Sequence, residues 1–318
     1  MSHALKTDIA DSTNTKLQNL RKRAEVIRKI RHFFEEKDIL EVETPLLSST
    51  TATDPHIHSI KAGNYFLQTS PEFAMKRLLA SAIGPIFQIC KAFRDDEVGR
   101  LHNPEFTMLE WYRPGFDHHD LMDEMDSFLR TILNLPKATR VSYQKIFQEH
   151  LNIDPLTADM NELKNCAHKN NLIDIDIDDK DTWLDLLFSH CIQPHLGNIN
   201  PTFIFDYPAS QAALAKIRDD SLAVAERFEV FIQGLEIANG YHELTDHDEQ
   251  EHRFLADNQK RKLMGLKELP VDYKLISALE SGMPNCAGVA VGIDRLVMIA
   301  CEANSLSDIM SFTTQDMR

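Results

Sequence analysis

Residues 93–112 read FRDDEVGRLHNPEFTMLEWY. Both ends are apolar, and the middle carries Arg94, Asp95, Asp96, Glu97, Arg100 and His102. This pattern predicts two strands, 86–93 and 105–112, joined by a charged tip. Side chains alternate faces along a strand. Phe106, Met108, Glu110 and Tyr112 then share one face, and Thr107, Leu109 and Trp111 share the other. On the partner strand Gln88, Cys90, Ala92 and Arg94 share a face, with Phe87, Ile89 and Phe93 opposite. One side of the hairpin is core. The other offers a carboxylate, a phenol, an aromatic ring and an arginine among small residues, a floor with room for a ligand. A hairpin with one solvated face alternates in the same way, and alternation alone leaves both readings open.

Working outward, residues 1–15 are polar and expected to be flexible. Residues 16–37 place Leu17, Leu20, Ala24, Ile27, Ile30 and Phe34 at helical spacing. A short strand from Ile39 to Val42 is followed by Pro45. Residues 65–69 read as a strand running into a helix, with Thr69 and Glu72 at capping-box spacing and Pro71 in the first turn. Helices are expected over 118–133 and 246–264, and strands over 202–207, 228–233 and 286–293. A helix should start at about Asp294. The stretch 155–200 looks helical but irregular, with the acidic run DIDIDDKD at 174–181. Alternation of strand and helix is weak, which favours an α+β fold on a mainly antiparallel sheet, with one domain over 16–318.

The chain has 318 residues and a formal charge of −15 at neutral pH. That balance disfavours non-specific attraction to nucleic acid or an anionic membrane. Five scattered cysteines with no C-x-x-C read as reduced thiols in a cytoplasmic protein. The start of the chain has no apolar run of signal-peptide type, and the apolar segment 286–301 is too short and too charged to span a bilayer.

Three further stretches carry chemistry. GLEIANGYHELTD, 234–246, sets Glu236 and Glu243 on either side of an Asn-Gly turn signal, so a bent strand is expected. Two such carboxylates suit Mg²⁺, and two ordinary surface glutamates would look the same. GVAVGIDRL, 288–296, puts Gly288 and Gly292 before a helix that opens with Asp294 and Arg295, which fits either a phosphate site or close strand–helix packing. TSPE, 69–72, is a helix cap that can also present Ser70 and Glu72 to an amino acid. The run at 174–181 has Asp179 where a calcium loop needs glycine. His56 and His58, and the pair His118 and His119, have no matching ligand cluster in sequence, so zinc is not expected.

Together the four segments resemble the class II aminoacyl-tRNA synthetase core and come in that family's order. The long helix with Pro45 resembles motif 1, FRDDEVGRLHNPEFTMLEWY motif 2, and GVAVGIDRL motif 3. TSPE, HNPEFTMLEWY and GLEIANGYHEL are most similar to lysyl-tRNA synthetase segments. The resemblance implies a six- to seven-stranded antiparallel sheet flanked by helices, in a homodimer. It implies that an amino acid is activated by ATP as an aminoacyl-adenylate with Mg²⁺. Arg94 then takes the α-phosphate and the activated carboxylate, and Arg295 the γ-phosphate. Asp96, His102, Asn103, Phe106, Ile237 and Gly292 join the ATP contacts, with Phe106 stacked on the base. Glu236 and Glu243 hold Mg²⁺, and Ser70, Pro71, Glu72, Glu110, Tyr112, Glu243 and Ala290 form the lysine pocket.

Three departures narrow the resemblance. The motif 1 helix starts at about residue 16, so no preceding anticodon-binding domain is expected. Ala290 stands where lysyl-tRNA synthetases usually have glycine, and Asp96 where they usually have glutamate. The chain is similar in this to the elongation factor P lysine ligases, stand-alone paralogues of lysyl-tRNA synthetase. That likeness implies transfer of lysine, preferably (R)-β-lysine, to a lysine ε-amino group of elongation factor P, with no tRNA charging. A minimal lysyl-tRNA synthetase, an amide-forming asparagine-synthetase-like paralogue and a catalytically dead regulatory paralogue are the alternatives. A local basic patch around Lys76 and Arg77, or at Lys260–Lys262, is expected to receive the acceptor protein.

Overall fold

The structure is a computed structural model describing residues 2–95, 98–172, 178–218 and 222–317, with side chains from residue 14 onward. In chain order it opens with α1 (Ser2–Glu35), β1 (Leu40–Glu41), β2 (Leu47–Ser48), β3 (Lys61–Ala62), β4 (Tyr65–Leu67) and α2 (Glu72–Ala80). The hairpin β5 (Ile86–Phe93) and β6 (Glu105–Pro114) follows, then α3 (His118–Leu133), β7 (Thr139–Ser142), α4 (Tyr143–Leu151), α5 (Met160–Lys169) and α6 (Lys180–Leu187). Next come β8 (Thr202–Pro208), β9 (Ile217–Arg218), β10 (Val224–Ile232) and β11 (Leu235–His242). The chain closes with α7 (His247–Leu263), α8 (Tyr273–Glu280), β12 (Cys286–Gly292) and α9 (Ile293–Ala300). The expectation for residues 1–15 falls mostly on side chains outside the described set; the helix assigned there runs from Ser2.

The chain divides into two compact units. The first comprises Met1–Pro114, Thr245–Pro284 and Ala290–Arg318, and the second Gly115–Leu244 and Asn285–Val289. The first unit has strand order β1-β5-β6-β12, plus a small sheet of β2, β4 and β3. The second has the order β12-β11-β10-β8-β7, with β9 beside β10. The halves of β12 fall in different units. The pairs β5–β6, β8–β10 and β10–β11 are antiparallel, and the parallel pairs β1–β5 and β7–β8 involve short strands. The fold is α+β with a mainly antiparallel sheet, as expected. Its long strands are β5, β6, β8, β10, β11 and β12, and short β1, β7 and β9 raise the number above the expected six to seven.

Local rules set the boundaries. The Asp117 carboxylate accepts from the amides of His119 and Asp120 at 2.8 and 2.9 Å, and the Asp120 carboxylate accepts from the Asp117 amide. This capping box starts α3 at His118, and a left-handed Asn134 ends it. In the first unit Phe34 of α1 stacks on Phe87 at 4.4 Å and meets Trp111 edge-on at 5.3 Å. In the second, Tyr143, Phe147, Phe188, Tyr207 and Phe231 cluster with Trp183.

Two local expectations need correction. The Thr69–Glu72 capping box does not form. Pro71 is the N-cap without a side-chain cap, and Ser70 Oγ accepts from the Glu72 amide at 3.0 Å instead. Asn239-Gly240 is not a turn but lies inside β11. Gly240 faces Phe228 of β10, whose ring would lie 2.4 Å from an added Cβ. Glycine serves there for close approach of a ring, not for chain reversal.

Candidate active site

The β5–β6 register pairs Gln88 with Glu110, Cys90 with Met108, and Ala92 with Phe106. Directly paired residues share a face, so the ligand face read from alternation is the one built. Glu110 is only 2% exposed. Its Oε1 accepts from Ser70 Oγ at 2.5 Å, and its Oε2 accepts from the Tyr112 hydroxyl at 3.1 Å. Burying a carboxylate is costly unless donors or a cation meet it. The two hydroxyls orient the carboxylate on the floor. Across the strand, the buried Gln88 Oε1 accepts no hydrogen bond. A carboxylate and an amide oxygen on one buried floor form an acceptor set for an ammonium group. Burial, and next the charge of Glu110, push the neighbouring Cys90 thiol up to about 12.

Ser70 thus has two jobs, donating to Glu110 and capping the turn into α2. Pro71 is buried beside it. Glu72 is turned to Lys76 Nζ at 2.7 Å, one helical turn on. Lys76 is therefore fully buried and ion-paired, which removes it from the expected basic surface patch.

At the other end of the hairpin, the Arg94 guanidinium lies 5.3 Å from the Phe106 ring centroid. Its Nη2 reaches the Thr69 carbonyl only at 3.5 Å, and its buried Nε has no acceptor. An arginine held by a ring, with donor capacity to spare, suits an anion. Arg295 Nη2 donates to Nε2 of the exposed His102 at 3.0 Å. Asn103 serves the fold at both ends of its amide. It donates to the Glu105 carbonyl at 2.6 Å and accepts from the Thr314 amide at 2.9 Å. Asp96 lies outside the described residues. Ala290 stands half-buried on β12, and Gly292 is the N-cap of α9.

Sequence reasoning missed the group that ties these elements together. Buried Asp294 accepts the Thr107 amide at 2.7 Å and pairs with Arg23 of α1 at 2.7 Å. Arg23 also donates to Thr107 Oγ1 at 2.8 Å. One carboxylate thereby joins α1, β6 and α9. Its partners lie 187 and 271 residues away (294 − 107 and 294 − 23), so no local pattern signals it. Gln88 was placed on the correct face but not among the binding residues. A buried amide opposite a buried carboxylate was the available signal.

In the second unit, Glu236 and Ile237 stand on β11, and Glu243 follows its end. Ile237 is core, Glu236 is half-buried, and Glu243 is 1% exposed. Glu243 is anchored by its amide, which donates to the Cys286 carbonyl at 2.9 Å. Glu236 lies within electrostatic reach of Arg227, a half-buried cation on β10 that also pairs with Glu229. Both residues supply hard carboxylate oxygens, the donor type that Mg²⁺ takes.

A fold of this topology, with a buried carboxylate and an aromatic-held arginine on one hairpin, is that of an amino-acid-activating enzyme. The chain belongs to the class II tRNA synthetase family (D, K and N), which matches residues 2–316. It is 50% identical over 310 residues to the elongation factor P–(R)-β-lysine ligase of Salmonella dublin, covering 93% of this chain and 95% of that protein. The proteins of that name from Salmonella heidelberg and Salmonella enteritidis PT4 match over the same 310 residues at the same 50% identity.

Proposed function

We propose that this protein activates a lysine, in the form of (R)-β-lysine, with ATP and joins it to a lysine ε-amino group of elongation factor P. The buried Glu110, oriented by Ser70 and Tyr112 across from Gln88 Oε1, carries the substrate side of this reading. These groups accept from the side-chain ammonium. Arg94 neutralises the charge that develops as the substrate carboxylate attacks the α-phosphorus and the bond to the leaving pyrophosphate breaks. The acceptor amine then attacks the acyl carbon, loses a proton and expels AMP. Phe106 stacks on the base, while His102 and Arg295 act at the phosphates. Mg²⁺ held by Glu236 and Glu243 would screen the triphosphate.

Pyrophosphate exchange tests the first half-reaction. Exchange dependent on lysine or β-lysine is expected, and exchange with neither would refute the reading. Ala290 adds a methyl group to the pocket wall, which we assign to discrimination between α- and β-amino placement. An Ala290→Gly variant should narrow the ratio of kcat/KM for the two isomers, and an unchanged ratio removes that role. The homodimer belongs to the same proposal and is supported by exposed Leu40 on β1, Leu47 on β2 and Tyr65 on β4. Light scattering at a single-chain mass would count against it. The work is that of a cytoplasmic translation enzyme. Among the described residues, no helix is long and apolar enough to cross a membrane.

A further inference from the structure

The second unit holds a cluster with no part in the chemistry above. His118 opens α3, and Glu226 and His242 stand on β10 and β11. The strand register pairs Arg227 with Tyr241, so Glu226 and His242 are opposed one step further along. One ligand atom from each of the three lies within 4.8 Å of the other two. All are buried, His118 to 1% exposure.

The hydrogen bonding of these residues is incomplete in a directed way. Neither ring nitrogen of His118 has a hydrogen-bond partner. Asp206 Oδ1 approaches its Nε2 at 3.4 Å without an aligned bond. A buried imidazole left this way is costly. His242 Nε2–H donates to Asn285 Oδ1 at 2.7 Å, which turns Nδ1 toward Glu226 Oε2 at 2.5 Å. A carbonyl that fixes the outer ring nitrogen is the usual support of a metal-binding histidine. A bare imidazole lone pair facing a carboxylate oxygen is repulsive, and a proton or a metal ion between them removes the repulsion.

We propose that His118, Glu226 and His242 form a zinc site, with Asp206 in the fourth position. Two imidazoles and a carboxylate are a zinc donor set, whereas Mg²⁺ and Ca²⁺ favour oxygen alone. Tetrahedral zinc with arms of about 2.1 Å sets its ligands roughly 3.4 Å apart, and His118 Nε2 and Asp206 Oδ1 are already at 3.4 Å. Binding releases the proton between His242 and Glu226 to solvent and opens that contact to the same spacing. The surrounding charges allow a dication. Arg218 meets Asp206 at 2.8 Å and Glu226 at 3.5 Å, so two carboxylates share one guanidinium. The His119 ring packs 4.0 Å from that of His118, and Lys216 adds a more distant positive charge. Sequence spacing alone does not bring this cluster together, because Glu226 and His242 lie 108 and 124 residues from His118 (226 − 118 and 242 − 118).

The test uses the full-length chain, stripped with chelator and titrated with cobalt(II) chloride. The expected result is saturation at one equivalent, with the intense visible absorption of tetrahedral cobalt, bleached by zinc chloride. His118→Gln and Glu226→Gln should abolish this spectrum. Asn285→Ala should weaken binding about 10-fold through lost orientation of His242. Asp248→Asn, in the exposed group Asp246, His247 and Asp248, should leave it unchanged. Wild-type protein showing only octahedral cobalt overturns the proposal whatever the variants do, and so does a tetrahedral spectrum that survives in His118→Gln.

Discussion

In the proposed function, substrate choice turns on Glu110. Its environment supplies hydroxyl donors and an unsatisfied amide oxygen, so replacing its charge while keeping its shape isolates the electrostatic part. Glu110→Gln should keep both hydroxyl contacts and the fold. It should lower kcat/KM for the amino acid roughly 100-fold, about 2.7 kcal/mol, the range for removing one side of a buried charge pair. Its KM for ATP should stay near wild type. Pyrophosphate-exchange kinetics with each substrate varied in turn would measure both values, and an equal rise in the two would deny Glu110 its role with the ammonium. Cys90 reports the same environment. With burial and Glu110 holding its thiol at about 12, the thiolate stays scarce at every pH below that value. Alkylation of Cys90 by iodoacetamide should therefore remain slow from pH 7 to pH 9, as read by peptide mass spectrometry. Rapid labelling near pH 8 would mean that Cys90 is not held in this buried setting beside Glu110. Side-chain placements were legible where alternation fixes a face, as for Glu110, Tyr112 and Phe106. They were not legible where long-range partners decide, as for Asn103, whose amide is consumed by the fold, or Lys76, drawn inward by Glu72.

Among the elements, the hairpin was readable because strand periodicity of two is strict and its core face is strongly apolar. Helix α3 was readable because its first turn carries its own cap. Elements without such a local signal were missed: α4, α8, the short strands β2, β3, β7 and β9, and the first four residues of β10. The Asn-Gly pair misled because glycine answers two different demands, a turn or a close packing partner, and only the Phe228 ring decides between them. The joint at Asp294 belongs to this scale. Removing one member of a buried ion pair leaves the other uncompensated. Asp294→Ala should lower stability by about 3–5 kcal/mol in urea unfolding, and a double-mutant cycle with Arg23→Ala should show strong coupling. Near-additive losses would mean that the pair does not act as a unit.

For the molecule as a whole, charge and fold point the same way. A chain at −15 has no general attraction for a polyanion, while the activation chemistry proposed above asks only for the local cations Arg94 and Arg295. Of the basic positions expected to receive an acceptor, Arg77, Lys260 and Lys262 are exposed, whereas Lys76 and Arg261 are buried, the latter donating to the carbonyls of Lys267 and Asp54. The central claim is transfer to a protein, and it is tested most directly by offering both acceptors at once. The enzyme is given ATP, labelled (R)-β-lysine or labelled lysine, elongation factor P and tRNA, and the two products are then separated. The account predicts stable label on a lysine of elongation factor P and none retained on tRNA. Label on tRNA with the protein left unmodified would contradict it.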